Sequence, residues 1–126
     1  MASADLRVYE AQARSSGVFG RVMCSARTHH LVVDGPVQNG CPGEEVTPGE
    51  LFLAGVATCA VELVEVLARE KGFPIPRVTA QIAGTIDRAA PVRADVTVFN
   101  SVRLDLQLAG VDAAQAQDLV ETFKRR

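Results

Sequence analysis

From Leu51 to Val61 no residue is charged, and apolar side chains fall on every face of the helix that the flanking residues punctuate. The whole stretch, Thr47 to Gly72, reads as one long helix. Thr47 can act as N-cap, Pro48 falls at the first helical position, and Glu50 completes a T-x-x-E capping box. Gly72 supplies a left-handed stop, and Pro74 and Pro76 prevent resumption. A helix apolar all round is predicted to be buried all round. Spanning a bilayer takes about 20 apolar residues, and Glu62 and Glu65 interrupt this run, so the pattern predicts a core helix and no membrane span.

Alternation places the strands. Leu6 to Ala13 alternates apolar and polar residues, and Arg14 to Gly17 reads as a turn. Val18 to Ala26 and Thr28 to Asp34 complete a predicted antiparallel meander. Gly35 to Val46, with three glycines, two prolines and an Asn-Gly pair, is loop by composition. Beyond the helix, Pro76 to Asp87 is a strand with Val78, Ala80, Ile82 and Gly84 on one face. Pro91 to Leu108 holds one long strand or two, the alternation being clearest from Val102 to Leu108. Asp112 caps a second helix whose apolar stripe is Ala116, Leu119, Val120 and Phe123. The predicted order is βββ–α–ββ–α, an α+β fold in a single domain, residues 1–126, with an antiparallel sheet against the helices. One small sheet cannot cover an all-apolar helix, which points to an interlocked homodimer with the helices between two sheets.

Composition narrows the function. A net charge of -2 gives no basic footprint for nucleic acid. The N-terminus has no apolar signal segment, and the odd set Cys24, Cys41 and Cys59 is no secreted disulfide framework, so a cytoplasmic protein with reduced thiols is expected. Cys24, His29, His30 and Cys41 match no structural zinc spacing, and adjacent histidines on a strand point to opposite faces, so neither a metal nor another cofactor is expected. Cys59, mid-helix in an apolar setting, is then the thiol with chemical interest. As a bare residue it reads first as a small buried hydrophobe, the usual fate of a free cysteine in a core.

Three segments together carry a resemblance: His30-Leu-Val-Val-Asp34-Gly-Pro36, then Thr47-Pro-Gly-Glu50-Leu-Phe-Leu-Ala-Gly-Val-Ala-Thr-Cys59, then Ala68-Arg-Glu-Lys-Gly72. The chain resembles the OsmC/Ohr family from about Asp5 onward. The resemblance implies an intertwined α+β dimer and a thiol-dependent peroxidase that reduces organic hydroperoxides with an external thiol or dithiol. It implies that Cys59 is the peroxidatic residue, that Glu50 assists, and that an arginine from the N-terminal strands supports the thiolate, Arg14 and Arg21 both qualifying. Two departures stand out. Gly49 follows the proline where two family branches carry the acid, so Glu50 falls one residue late, as in a broader OsmC-like branch. The family's resolving cysteine and last strand would follow Arg126, where this chain ends.

The chemistry asks for these groups. The thiolate is the nucleophile, and an arginine, charged at any relevant pH, offsets the cost of ionising a buried cysteine. An apolar wall of Leu51, Phe52 and Val56 suits an organic peroxide. Glu50 precedes Cys59 by nine positions, which puts it on the opposite side of a regular helix about 13 Å away. It serves the same chain's Cys59 only if the first turn is irregular, and otherwise reaches the other subunit. Glu62, three residues after Cys59, is the rival. With the usual resolving cysteine missing, Cys41 in the Gly/Pro-rich loop is the candidate substitute. Two other functions share the pattern: an OsmC-like dimer that binds a small ligand without turnover, and a hot-dog thioesterase.

Overall fold

The structure is a computed structural model that describes residues 5–126. Its elements are β1 (Gln12–Ser15), β2 (Arg21–Ala26), β3 (His29–Asp34), α1 (Pro48–Glu70), β4 (Arg77–Thr85), β5 (Ser101–Ala109) and α2 (Ala113–Phe123). The α+β order is the predicted one. The strands, however, form two antiparallel sheets, β1-β2-β3 and β4-β5, where a single sheet was expected. The chain also groups into two compact units, the first ending at Leu51 and the second running Phe52–Arg126.

In the first unit β1 begins later than the alternation suggests. Leu6, Val8 and Tyr9 have no strand partner and stay exposed, whereas Arg14 and Ser15, expected in a turn, pair with Met23 and Val22. Alternation reports which side a residue faces and not whether a neighbour exists to pair with it. The turn falls instead at Gly17 and Gly20, both with positive φ, so β2 starts at Arg21 and not at Val18. Ala26 pairs with His29, which leaves Arg27 and Thr28 as a two-residue hairpin loop with Arg27 at φ 54.

α1 starts as its sequence predicts. The Thr47 N–H donates to Glu50 Oε1 at 2.9 Å and the Glu50 N–H donates back to Thr47 Oγ1 at 3.3 Å, a reciprocal box. Its end is a Schellman motif. The Phe73 N–H donates to the Ala68 carbonyl at 2.9 Å and the Gly72 N–H to that of Arg69 at 3.2 Å, with Gly72 left-handed at φ 72.

Burial along α1 departs from expectation. Ala60, Val64, Leu67 and Ala68 are buried, at the spacing of one face, while Leu51, Phe52 and Val56 are exposed. Within one chain, therefore, α1 is not buried all round. At 23 residues it is also long and apolar enough, by length and composition, to cross a membrane, which corrects the expectation that it is too short. The core helix of a water-soluble protein passes the same test.

The second unit has one core. Val64, Leu67 and Ala68 of α1 meet Leu119 of α2, and Leu63, Phe73, Val78, Leu106, Leu108 and Phe123 close around them. β4 and β5 pair from Arg77↔Ala109 to Thr85↔Ser101, with Val78, Ala80, Ile82 and Gly84 on the inner face as the alternation predicts. The earlier half of the expected Pro91–Leu108 strand is absent. Residues 91–100 form a loop closed by Asn100, whose Oδ1 accepts from the Asp87 N–H at 2.7 Å and whose Nδ2 donates to the Ala90 carbonyl at 2.7 Å. The side chain thereby replaces ladder bonds that a longer strand would have made. Asp112 caps α2 in a second capping box with Gln115.

Loop and helix meet at Phe99. Its ring stacks on Phe52, centroids 5.9 Å apart, and a Cβ added to Gly84 would lie 2.6 Å from it and 3.2 Å from Leu53. Replacing Gly84 by alanine is therefore expected to overpack this contact and cost about 1–3 kcal/mol in denaturant unfolding, without changing the secondary structure seen by circular dichroism.

Candidate active site

The registers of the first sheet decide which candidate side chains share a face. Arg14 opposes Met23 and Arg21 opposes Asp34, so both arginines project from the face that carries Gln12, Ser25, His30 and Val32. Cys24, His29 and buried Val33 are on the other face. The two adjacent histidines are thus separated by the sheet.

The two arginines are in different states. Arg21 donates Nε to Asp34 Oδ1 at 2.8 Å and Nη2 to Asp34 Oδ2 at 2.9 Å, a bidentate pair, and Nη2 also reaches Glu44 Oε1 at 2.9 Å. Arg14 has no ion pair among the described residues, and it lines an open depression of about 550 Å³ together with Gln12, Met23, Ser25 and His30. A guanidinium held by two carboxylates has little positive field left for a thiolate. Of the two candidates, Arg14 keeps its charge available.

Asp34 is the residue that sequence reasoning passed over. It belongs to the Asp-Gly-Pro stretch, but only the structure shows its load. Its side chain is fully buried (0% exposed), and Oδ2 also accepts the backbone N–H groups of Glu44 and Glu45, both at 3.0 Å. The bonds from Arg21, reinforced by those from the Glu45 and Glu44 amides, outweigh the cost of burial and hold the carboxyl well below the usual carboxylate range. The same bonds push the Arg21 guanidinium higher still, so it is charged throughout. The signal available in the sequence was an acidic residue closing an apolar strand, Leu31-Val32-Val33-Asp34, where burial calls for a paired cation.

Glu50 is exposed and engaged at home. Oε1 accepts both the backbone N–H and, at 3.0 Å, the hydroxyl of Thr47, and these bonds, the backbone one first, lower its pKa. α1 is regular from Pro48 onward, which removes the irregular first turn that would have let Glu50 bend toward its own chain's Cys59. Glu62 is exposed on the following turn, beside Glu65, Val66 and Arg69 along a shallow surface groove.

Cys59 is exposed, not buried as expected for a core helix. Helical spacing places it on one stripe with Phe52 and Val56, both exposed and apolar. Thr58 next to it donates its hydroxyl to the Ala54 carbonyl at 2.8 Å.

Cys41, expected in an open loop, is held. Val37–Asn39 form a short 3-10 turn, Gly40 is left-handed at φ 77, and the Cys41 N–H donates to the Pro36 carbonyl at 3.4 Å. Its sulfur lies where a Cβ on Gly20 would come within 2.5 Å and where a Cβ on Gly35 would also clash. These two glycines flank Arg21 and Asp34, and the Gly35 N–H donates to the Gly20 carbonyl at 2.8 Å.

Two variants test this arrangement. Asp34→Asn should lower the melting temperature far more than Glu44→Gln, because Asp34 is buried and Glu44 is 74% exposed. The acid dependence follows from the sign of the Asp34 shift. A depressed carboxyl gives stability that is fully present above about pH 4, its unfolded value, and that is lost as pH falls toward its folded value. Melting temperatures measured from pH 6 to 2 should fall steeply for the wild type and less steeply for Asp34→Asn.

The comparisons with known proteins agree with this architecture. The sequence model described as OsmC-like protein matches residues 41–126. An OsmC-like protein from Mycoplasma pneumoniae superimposes with a TM-score of 0.79 at 13% identity, covering 95% of this chain and 82% of that one. An organic hydroperoxide resistance protein OsmC from Legionella pneumophila gives 0.73 at 22% identity, covering 95% and 84%. An organic hydroperoxide resistance protein from Elizabethkingia anophelis gives 0.73 at 20% identity, covering 98% and 85%. At these identities the likeness is one of fold. A search of curated proteins finds no significant match. With the family model covering most of the chain, and an α+β fold that superimposes on these structures, the chain belongs to the OsmC-like family.

Proposed function

We propose that the protein is a thiol-dependent peroxidase that reduces organic hydroperoxides, with Cys59 as the nucleophile. The observation that carries this reading is the exposed thiol of Cys59 on the same helix stripe as Phe52 and Val56, in a fold whose relatives are named for organic hydroperoxide resistance. The Cys59 thiolate attacks the terminal oxygen of ROOH. The S–O bond forms as the O–O bond breaks, and the alkoxide leaves and takes a proton from solvent, giving an alcohol and Cys59 sulfenic acid. Thiolate, not thiol, is the reactive form, which is why a nearby cation matters.

Arg14 is the better choice for that cation, because its charge is not already neutralised, whereas Arg21 serves as a structural tie to Asp34. Glu50, on the far side of its own helix from Cys59, acts if at all on a second copy. Support for a homodimer comes from the apolar surface left uncovered on α1 (Leu51, Phe52, Val56) and at Leu6, Val8 and Tyr9. We place the protein in the cytoplasm, where its three free cysteines stay reduced.

One observation favours the alternative of a ligand-binding protein without turnover: Glu50 and Arg21, two of the expected assisting groups, are both engaged elsewhere. Stopped-flow consumption of an organic hydroperoxide by the reduced protein separates the two readings. Peroxidase chemistry predicts stoichiometric consumption that Cys59→Ser abolishes, and the alternative predicts a rate no faster than that of a free thiol. In the same assay Arg14→Ala should slow the reaction about tenfold, the effect of losing about 1.4 kcal/mol of transition-state stabilisation, at unchanged melting temperature. Arg21→Ala should instead show its first effect on the melting temperature. A sedimentation equilibrium mass of twice the chain would support the dimer, and a monomer would remove it.

A further inference from the structure

The face of the first sheet that carries Arg14 holds polar groups for which peroxide chemistry has no use. Gln12, Ser25 and His30 form one row across β1, β2 and β3, because Gln12 pairs with Ser25 and Ser25 with His30. Cross-strand partners on one face have Cβ atoms about 4.5–5.5 Å apart, close enough for their side chains to act on one ligand. The next row begins with Arg14, which pairs with Met23. Together these residues border one open depression of about 550 Å³, and all of them belong to the first unit.

The depression offers several donors and one charge. Arg14 provides guanidinium N–H groups, Gln12 an amide NH2, Ser25 a hydroxyl and His30 a ring N–H. None of these four side chains has a hydrogen-bond or ion-pair partner among the described residues. No carboxylate among the described residues borders the depression. Glu10, two positions before Gln12, lines the neighbouring groove with Arg27. Asp34, farther along the same face, is saturated by Arg21 and the amides of Glu44 and Glu45. A cation without a counter-charge in a concave surface draws anions toward it. Met23 and Ala13 add an apolar part to the wall, the mixture expected of a small-molecule site.

The class of anion follows from that balance. A planar guanidinium fork matches a carboxylate through two parallel N–H···O bonds. One permanent positive charge balances a monoanion and leaves a phosphate dianion half compensated. We propose that this depression binds a small organic monocarboxylate, with Arg14 holding the carboxylate and the Gln12–Ser25–His30 row orienting it, its apolar part against Met23. The site stands whether or not Cys59 is peroxidatic, since none of its residues belongs to α1. An anion held there and the thiolate assigned to Arg14 above are alternative partners of one guanidinium.

The test is a titration of the reduced full chain with sodium benzoate, without peroxide and at constant ionic strength, followed by amide correlation spectra. Amides of β1, β2 and β3 should shift saturably, with a midpoint of about 1–10 mM for a ligand of this size. Arg14→Gln should raise the midpoint about tenfold or more, and Ser25→Ala about threefold. No saturable shift of these amides up to about 50 mM, several times the expected midpoint, overturns the proposal. An equal response to benzamide, the neutral analogue, overturns the role of charge and the proposal with it. Inorganic phosphate that displaces benzoate at a lower concentration overturns the carboxylate class. Unchanged binding in Arg14→Gln, with the strand amides still dispersed as in the wild type, also overturns the proposal. Peroxide consumption has no part in the readout, so failure here and failure of the peroxidase reading are separate results.

Discussion

The bidentate pair between Arg21 and Asp34 is the constraint that the first unit is arranged around. A carboxylate with no solvent exposure is tolerable only when it is paired and fully hydrogen-bonded, and Asp34 accepts four bonds to meet that condition. Two of those bonds come from the backbone of Glu44 and Glu45, which fixes the end of a long Gly/Pro-rich loop. The glycines beside the pair admit the Cys41 side chain. The backbone of Asp34 in turn donates to Val46 at 3.0 Å, directly before the Thr47 cap of α1. One buried charge thus sets the strand pairing, the loop path and the start of the helix.

That arrangement has a consequence for chemistry. A group that holds a fold together by charge neutralisation is a poor source of charge for a reaction, since the same field cannot be directed at two anions at full strength. Arg21 and Glu50 are both committed to local structure, one to Asp34 and the other to Thr47. Arg14, on the same sheet face as Arg21 but without a carboxylate partner among the described residues, keeps its charge available. The difference between these two arginines, which stand on neighbouring strands, is electrostatic in origin, not a matter of residue type.

α1 has two characters along its length. Its later turns are packed by α2 and the β4–β5 hairpin around Val64, Leu67 and Ala68, whereas Leu51, Phe52, Val56 and Cys59 face outward in the single chain. Phe52 is partly sheltered by Phe99, which Gly84 allows to approach. An apolar, thiol-bearing helix face is the type of surface that a hydrophobic peroxide or a second subunit would cover.

Local features were legible from the sequence alone. The Thr47–Glu50 capping box, the Asp112 cap, the Gly72 stop, the inner face of β4 and the βββ–α–ββ–α order follow from spacing and turn chemistry, because each depends on residues a few positions apart. The resemblance in the Thr47–Cys59 stretch also identified the family. What the sequence left open depends on contacts between residues far apart in the chain. The alternation at Leu6–Ala13 could not report that, among the described residues, only Gln12 and Ala13 of that stretch have a strand partner, and the apolar run of α1 could not report which half is covered. Asp34 became important only when the fold placed it opposite Arg21, thirteen residues away. The same tertiary contact gave the two arginines different charge environments, and two glycines that line up only in three dimensions turned Cys41 from a loop thiol into a packed one. Spacing determines the local hydrogen bonds, while burial and charge pairing are decided by whichever distant side chain the fold brings into reach.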